Sequence, residues 1–405
     1  MGRFIGVLGI FAILGIAYLL SNDKKNIDFR IIIWGLTLQL LFGIFILITP
    51  FGKPIFSWFD KLIKKLLGFS QEGSEFLFAS FMDGKMHPAV INFAFAVLPT
   101  VVFFSALMAV LYHLGIMQKI IKVVALIMQK TMKTSGPETT SISANIFVGQ
   151  TEAPLVIRPF ISKMTNSELM AVMTGGFATV AGGVMAIYVG MLENVPGIAG
   201  HLMAASIMSA PAALVIAKIM YPEKNKNKIN ESIDLKTISN EENVLEALGN
   251  GATDGLKLAA NIAAMLIAFV ALISLTNYML SIIHTSLEDI LGYIFMPLAY
   301  LMGAPWSESQ ILGSLLGQKI VLTELIAYMN LSNMTVGVDI SEKTAILASY
   351  ALCGFANFAS IGIQLGGIGS IAPERKKDLA KLVTKAMFGG ALASWLTATI
   401  AGILI

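Results

Sequence analysis

Apolar residues dominate this chain in long runs near residues 3–20, 29–49, 92–114, 168–191, 198–220, 256–284, 344–366 and 380–404, divided by short polar segments. Each run is close to the roughly 20 residues that cross a hydrocarbon core about 30 Å thick, so the pattern predicts about eight transmembrane helices. Three further apolar pieces do not read as simple spans: 53–67, punctuated by Lys53, Lys61, Lys64 and Lys65; 117–133; and 285–303, with Pro297 and Gly303. These predict helices lying along the membrane interface. Two more, 138–163 and 307–331, begin and end polar and carry glycine and a carboxylate at their centres. They are too interrupted to span and predict re-entrant hairpins.

The carboxylates in those hairpins are Glu152 and Glu324, and a charge at bilayer depth costs roughly 2.5 to 3.5 kcal/mol on insertion scales. Each hairpin is followed by a near-identical core, Gly176-Phe177-Ala178-Thr179 and Gly354-Phe355-Ala356-Asn357. The order hairpin, glycine-rich helix thus repeats. With eight alternating spans the first hairpin starts from inside and the second from outside, the inverted-repeat logic of secondary transporters, which bind solute and ion where helices break at the midplane. Gly175-Gly176, Gly182-Gly183 and Gly362, with Asn357 and Ser360, mark where the two helices are expected to unwind. The domain division that follows is 1–134 as scaffold, 135–220 as the first repeat, 221–306 as linker, helix and interfacial helix, and 307–405 as the second repeat. The fold class is therefore an all-α polytopic membrane protein with an inverted repeat.

Composition agrees: 56% of residues are hydrophobic and 13% charged, far from an ordinary soluble domain. A net charge of +3, with Lys and Arg gathered in short loops, argues against a nucleic-acid partner. The single cysteine, Cys353, excludes an intramolecular disulfide, and His87, His113, His201 and His284 are scattered without metal-motif spacing. Arg3 followed by an apolar run to Leu20 resembles a signal peptide, but no small-residue cleavage site precedes Ser21-Asn22-Asp23, so a first transmembrane helix is expected. Basic residues at 24–30, 119–133, 224–228 and 375–377 fall on one side of the membrane, which places both termini outside. The basic 53–67 segment then lies on the outer side against that rule, as an interfacial helix. The polar stretch Tyr221 to Asn243 reads as a cytoplasmic linker.

Simpler roles compete for these residues. The glycines serve equally as packing devices that let helices approach. Glu152 and Glu324 could be structural ion pairs with Arg158 or Lys319. Asn357 and Ser360 could merely bond across helices, and Asn145 could cap its helix. The 22 methionines read as apolar filler.

Several longer motifs carry a resemblance. Phe93-Ala94-Phe95-Ala96-Val97-Leu98-Pro99, Gly149-Gln150-Thr151-Glu152-Ala153-Pro154, Asn261 to Phe269, Cys353-Gly354-Phe355-Ala356-Asn357-Phe358 with Ser360-Ile361-Gly362-Ile363-Gln364, and Ala372-Pro373-Glu374-Arg375-Lys376 resemble the signatures of the concentrative nucleoside transporter family, over about residues 74–405. Residues 1–73 match in hydrophobicity alone. The resemblance implies a sodium-driven symporter of nucleosides in the cell (inner) membrane, assembled as a homotrimer whose transport domains slide against a central scaffold. It implies that Gln150, Thr151 and Glu152 bond the nucleobase, that Val184 and Phe355 pack around it, and that Glu324, Asn357 and Ser360 hold the ribose hydroxyls. It implies sodium at the Asn145 and Thr179 side chains and at the carbonyls of Val148, Thr179 and Val180, hard oxygens for a hard cation. Thr179 stands where serine is frequent, Thr323 where asparagine usually precedes the second glutamate, and Leu325 where phenylalanine is usual. Gly149-Gln150 resembles the broad-selectivity form, so both purine and pyrimidine nucleosides, such as adenosine and uridine, are expected.

Two other functions remain open from the sequence. In a proton-coupled symporter Glu152 or Glu324 takes up the proton. A membrane-embedded enzyme is disfavoured, because no nucleophile and base, metal triad or phosphate loop accompanies the carboxylates.

Overall fold

The computed structural model describes residues 2–50, 52–78, 98–224 and 241–405, and among these it is helical throughout, with one isolated bridge between Val336 and Ile340 in place of any sheet. The N-terminal part comprises α1 (Gly2–Leu19), α2 (Phe29–Gly43), α3 (Gly52–Phe78), α4 (Leu98–His113) and α5 (Ile116–Met132). The amphipathic piece expected over 53–67 is thus part of a longer helix. Between α4 and α5 the chain turns by 77°. Gly115 makes this corner with φ +72, a left-handed conformation that glycine adopts without steric cost.

The first hairpin follows as α6 (Gly136–Ala144), a tip, and the short α7 (Arg158–Ile161). At the start of α6 the Ser135 amide donates to Glu138 Oε1 at 2.9 Å, with a proline in the first turn. This satisfies an amide donor that no lipid could take. The next run, expected as one helix over 168–191, is two: α8 (Asn166–Ala178) and α9 (Gly182–Met191), separated at Thr179–Ala181. After α10 (Ile198–Met220) come the long α11 (Val244–Leu280) and α12 (Leu287–Leu301). The axis turns by 85° between them.

The same order then returns: hairpin α13 (Ser309–Val321) and α14 (Glu324–Ser332), broken pair α15 (Glu342–Leu352) and α16 (Phe358–Ile371), and long α17 (Lys376–Leu404). Each broken helix packs against both long helices, α10 and α17. Burial ranks the layers: 83–89% of the most apolar windows of α8–α9, α10 and α17 is covered, against 33% along α2. The broken helices and their two long companions therefore form the centre.

Among the described residues, four helical stretches are long and apolar enough to cross a membrane, Phe29–Ile48, Asn166–Met191, Ile198–Met220 and Pro373–Leu404, or up to six when each bent pair counts as one span. The runs at 3–20 and 344–366 yield shorter apolar helices instead, the second because the chain breaks within it. Residues 93–97 of the first motif and 225–240 of the polar linker lie outside the described residues.

The positions of the breaks agree with part of the expectation and correct the rest. The chain unwinds at 179–181, ending at Gly182, and at 353–357, ending at the N-cap Asn357, whereas Gly175 and Gly176 lie inside α8 and Gly362 inside α16. The physical reason is packing: a Cβ on Gly175 would stand 2.6 Å from Ile142 of the first hairpin, and one on Gly176 2.6 Å from the Gln364 amide. These glycines admit neighbours rather than loosen the helix.

Candidate functional site

The two duplicated cores meet each other. Gly354, at φ +123, lies so close to the first break that a Cβ there would stand 2.6 Å from the Phe177 carbonyl oxygen and 2.8 Å from Ala178. Only glycine combines that backbone angle with that approach. Two helix C-termini and two helix N-termini thus converge in the interior, leaving backbone groups without helical partners.

Glu324 is 5% exposed and opens α14, where the helix N-terminus favours a negative charge. Its Oε1 accepts from the Tyr188 hydroxyl of α9 at 2.9 Å, and its Oε2 accepts from Asn357 Nδ2 at 2.6 Å. Asn357 is itself oriented as the N-cap of α16, its Oδ1 accepting from the Ser360 amide at 2.8 Å. Tyr188 is held by stacking on Tyr328, ring centroids 4.1 Å apart. A carboxylate offers about four acceptor sites, so two remain for another ligand. Asn357 and Ser360 are buried beside it, while Phe355 is half-buried at the break.

At the other tip, Gln150 Oε1 accepts from Gln364 Nε2 at 3.1 Å, and the same Gln364 nitrogen donates to the Met173 carbonyl at 3.0 Å. Thr151 donates to Glu152 Oε1 at 2.9 Å, and Thr151 also packs against Gly367 of α16. The arrangement is reciprocal: α9 of the first repeat supplies Tyr188 to the second hairpin, and α16 of the second supplies Gln364 to the first.

Glu152 is exposed and lines a cavity of about 370 Å³ bounded by Ser105 and Met108 of α4, Phe147, Gly182 and Leu258 of α11. Glu324 does not line it. The two carboxylates therefore do not share this cavity, because Glu324 is covered by Tyr188 and Asn357, and α16 connects the two sides instead. Val184, 6% exposed, sits on α9 between them in sequence order. Neither carboxylate belongs to an ion pair among the described residues. Arg158 is exposed, and the Lys319 ammonium bonds elsewhere.

The proposed ion ligands gather where the first hairpin touches the first break. The Gly182 amide donates to the Phe147 carbonyl at 3.0 Å, joining the two segments. Asn145 is 1% exposed and its Oδ1 has no hydrogen-bond partner. An unpaired buried acceptor costs about 1 to 3 kcal/mol unless something compensates it. Thr179 ends α8 in extended conformation with its hydroxyl returned to the Gly175 carbonyl at 3.1 Å. Among the described residues no backbone amide donates to the carbonyls of Val148, Thr179 or Val180. This is a set of neutral oxygens lacking donors, which fits a hard monovalent cation. No cluster of three His, Cys, Asp or Glu suited to a metal ion occurs among the described residues.

Tyr188 and Gln364 are the members of this site to which sequence assigns no role. Their signal is a polar group in a buried apolar run, but their partners lie 136 and 214 residues away.

Comparison with known proteins gives the same picture over the full length. Family models described as Na+ dependent nucleoside transporter N-terminus, nucleoside recognition (Gate) and Na+ dependent nucleoside transporter C-terminus match residues 8–81, 94–195 and 201–402. An uncharacterized transporter of Bacillus subtilis, YutK, is 44% identical over 99% of both chains. Sodium/nucleoside cotransporter 2 of Rattus norvegicus is 40% identical over 99% of this chain, which spans 63% of that longer protein. The solved structure of CNTnw in an inward-facing substrate-bound state superposes with a TM-score of 0.91 at 41% identity, covering 100% of this chain and 98% of that one. A CNTnw variant in an outward-facing state superposes at 0.90, with 40% identity and the same coverage. These relatives and neighbours are transporters, not enzymes.

Proposed function

Because the chain belongs to the concentrative, Na+-dependent nucleoside transporter family, we propose that it carries purine and pyrimidine nucleosides into the cell together with sodium. The observation that carries this reading is the reciprocal clasp, in which Tyr188 and Asn357 orient the Glu324 carboxylate while two of its acceptor sites stay available. A ribose presents a vicinal diol, two donors that a fixed carboxylate accepts together. Asn357 and Ser360 complete the sugar subsite. Gln150, Thr151 and Glu152 supply donors and acceptors for the base, with Val184 and Phe355 as its apolar walls.

Sodium occupies the donor-poor oxygens of Asn145, Val148, Thr179 and Val180. Held there, it ties the first hairpin to the break in α8–α9, so that ion binding orders the tip that carries Gln150 to Glu152. One ion is adequate energetically. A sodium crossing about 100 mV contributes about 2.3 kcal/mol, and a roughly tenfold gradient adds about 1.4 kcal/mol. Together they concentrate a neutral solute several-hundredfold.

Transport proceeds by an elevator-type exchange of the hairpin domains against a scaffold of the N-terminal helices and α11, in a homotrimer of the inner membrane. Relatives solved in inward-facing, outward-facing and intermediate states support this exchange. The deciding experiment is uptake of labelled uridine into proteoliposomes under an inward sodium gradient, a proton gradient, or neither. Accumulation is expected with sodium alone. Accumulation driven by protons and indifferent to sodium refutes sodium coupling, and equilibration without accumulation refutes symport.

A further inference from the structure

Each repeat ends the first half of its broken helix in the protein interior, and a helix C-terminus carries a partial negative charge on carbonyls that lack partners. Each such end favours a nearby positive charge, yet the chain treats the two differently. At the end of α15, Lys319 is completely buried and donates to the Ala351 carbonyl at 2.8 Å, to the Cys353 carbonyl at 3.4 Å and to Ser394 Oγ of α17 at 2.7 Å. All three ammonium protons are used. No carboxylate forms a contact ion pair with it among the described residues, so its direct ligands are backbone and hydroxyl oxygens, the kind of ligand set that holds an alkali cation. At the end of α8, by contrast, no side-chain cation bonds the break among the described residues, and Asn145 Oδ1 is left unpartnered.

The placement follows the repeat. Lys319 stands in the last turn of α13, the first helix of its hairpin, and Asn145 is the C-cap of α6, the first helix of the other. Lys319 thus reaches the broken helix of its own repeat from the same end of the same element at which Asn145 stands in the other repeat. Resting on the sodium reading of the first repeat, we propose that Lys319 is a tethered counter-cation, occupying in the second repeat the place that the mobile ion takes in the first. The fold then has two symmetry-related cation places and fills one of them covalently, which restricts coupling to one ion per nucleoside. The same charge fixes the α15 break beneath Glu324 and Asn357, so that the sugar side is preformed while the base side waits for the ion.

The test compares wild type, Lys319→Gln and Lys319→Arg in proteoliposomes and in detergent, reading the sodium titration of uridine uptake, the flux ratio of labelled sodium to uridine, and melting temperature against sodium concentration. Wild type and Lys319→Arg are expected to show a Hill coefficient and flux ratio of about one, and Lys319→Gln values rising toward about two, since the coefficient is bounded by the number of sites. Lys319→Gln should also gain a sodium-dependent rise in melting temperature beyond that of wild type. A Lys319→Gln titration superimposable on wild type overturns the proposal, as does a variant whose low melting point no sodium concentration recovers, which marks a packing role alone. A wild-type Hill coefficient near two overturns it whether or not any variant folds. Wild-type uptake indifferent to sodium is a separate outcome that defeats the sodium reading itself and, with it, this assignment.

Discussion

Replacing Glu324 by glutamine keeps the shape of the sugar subsite and changes its hydrogen-bonding logic, so it tests the reading at its most specific point. In the native site both partners donate to the carboxylate, Tyr188 to Oε1 and Asn357 Nδ2 to Oε2. Asn357 cannot turn over, because its own oxygen is engaged by the Ser360 amide at 2.8 Å. The new side chain must therefore aim its single oxygen at Asn357 and its NH2 at Tyr188, whose hydroxyl then has to accept. One free acceptor and the full negative charge are lost to the diol. A hydrogen bond to a charged group contributes about 1.5 to 3 kcal/mol, which corresponds to roughly 10- to 150-fold weaker nucleoside binding. Calorimetric titration with uridine, 2′-deoxyuridine and 3′-deoxyuridine at saturating sodium separates this effect from general damage. Wild type should penalise the deoxy sugar that loses the Glu324 contact by about 1 to 3 kcal/mol, and the variant should lose most of that penalty. Melting temperature should not fall, since burying a neutral amide costs less than burying a charge. If all three nucleosides weaken by the same factor, Glu324 does not read the diol and the sugar subsite is wrongly placed.

Three other changes probe the remaining elements. Asn145→Ala should raise the sodium concentration needed for half-maximal uptake by about tenfold or more, about 1.4 kcal/mol, while nucleoside affinity at saturating sodium changes little; equal loss of both counts against the ion assignment. Gly354→Ala combines a disfavoured φ with a Cβ 2.6 Å from the Phe177 carbonyl. Strain of about 1 to 3 kcal/mol should appear as a lowered melting temperature, and an unchanged melt would mean that the two breaks do not cross tightly. Gln364→Leu removes the donor shared by Gln150 and Met173. Amide hydrogen exchange should accelerate at residues 147–153 and stay unchanged in α13–α14, whereas uniform protection would show that Gln364 does not clasp the first hairpin.

What could be read along the chain was whatever announces itself locally. Charged residues such as Glu152 and Glu324 stand out inside apolar runs because lipid penalises them. The twin cores at Gly176 and Gly354 stand out because duplication leaves the same local order twice, and with the longer motifs they suffice for the family. The unwound positions were legible in part, at Gly182 and Asn357, and misplaced at Gly175, Gly176 and Gly362, since glycine in a membrane helix serves close packing as readily as a break. Gly175 and Gly176 are occupied with Ile142 and Gln364 and leave the helix intact.

Tertiary structure alone decided which polar groups meet. Tyr188 finds Glu324, Gln364 finds Gln150, and Lys319 leaves Glu324 unpaired for the carbonyls of Ala351 and Cys353. Two breaks that cross at Gly354 bring these residues within reach of one another. The physical reason is that an interior closed to water obliges each polar atom to find its partner across the fold, and distance along the chain says nothing of where that partner will be.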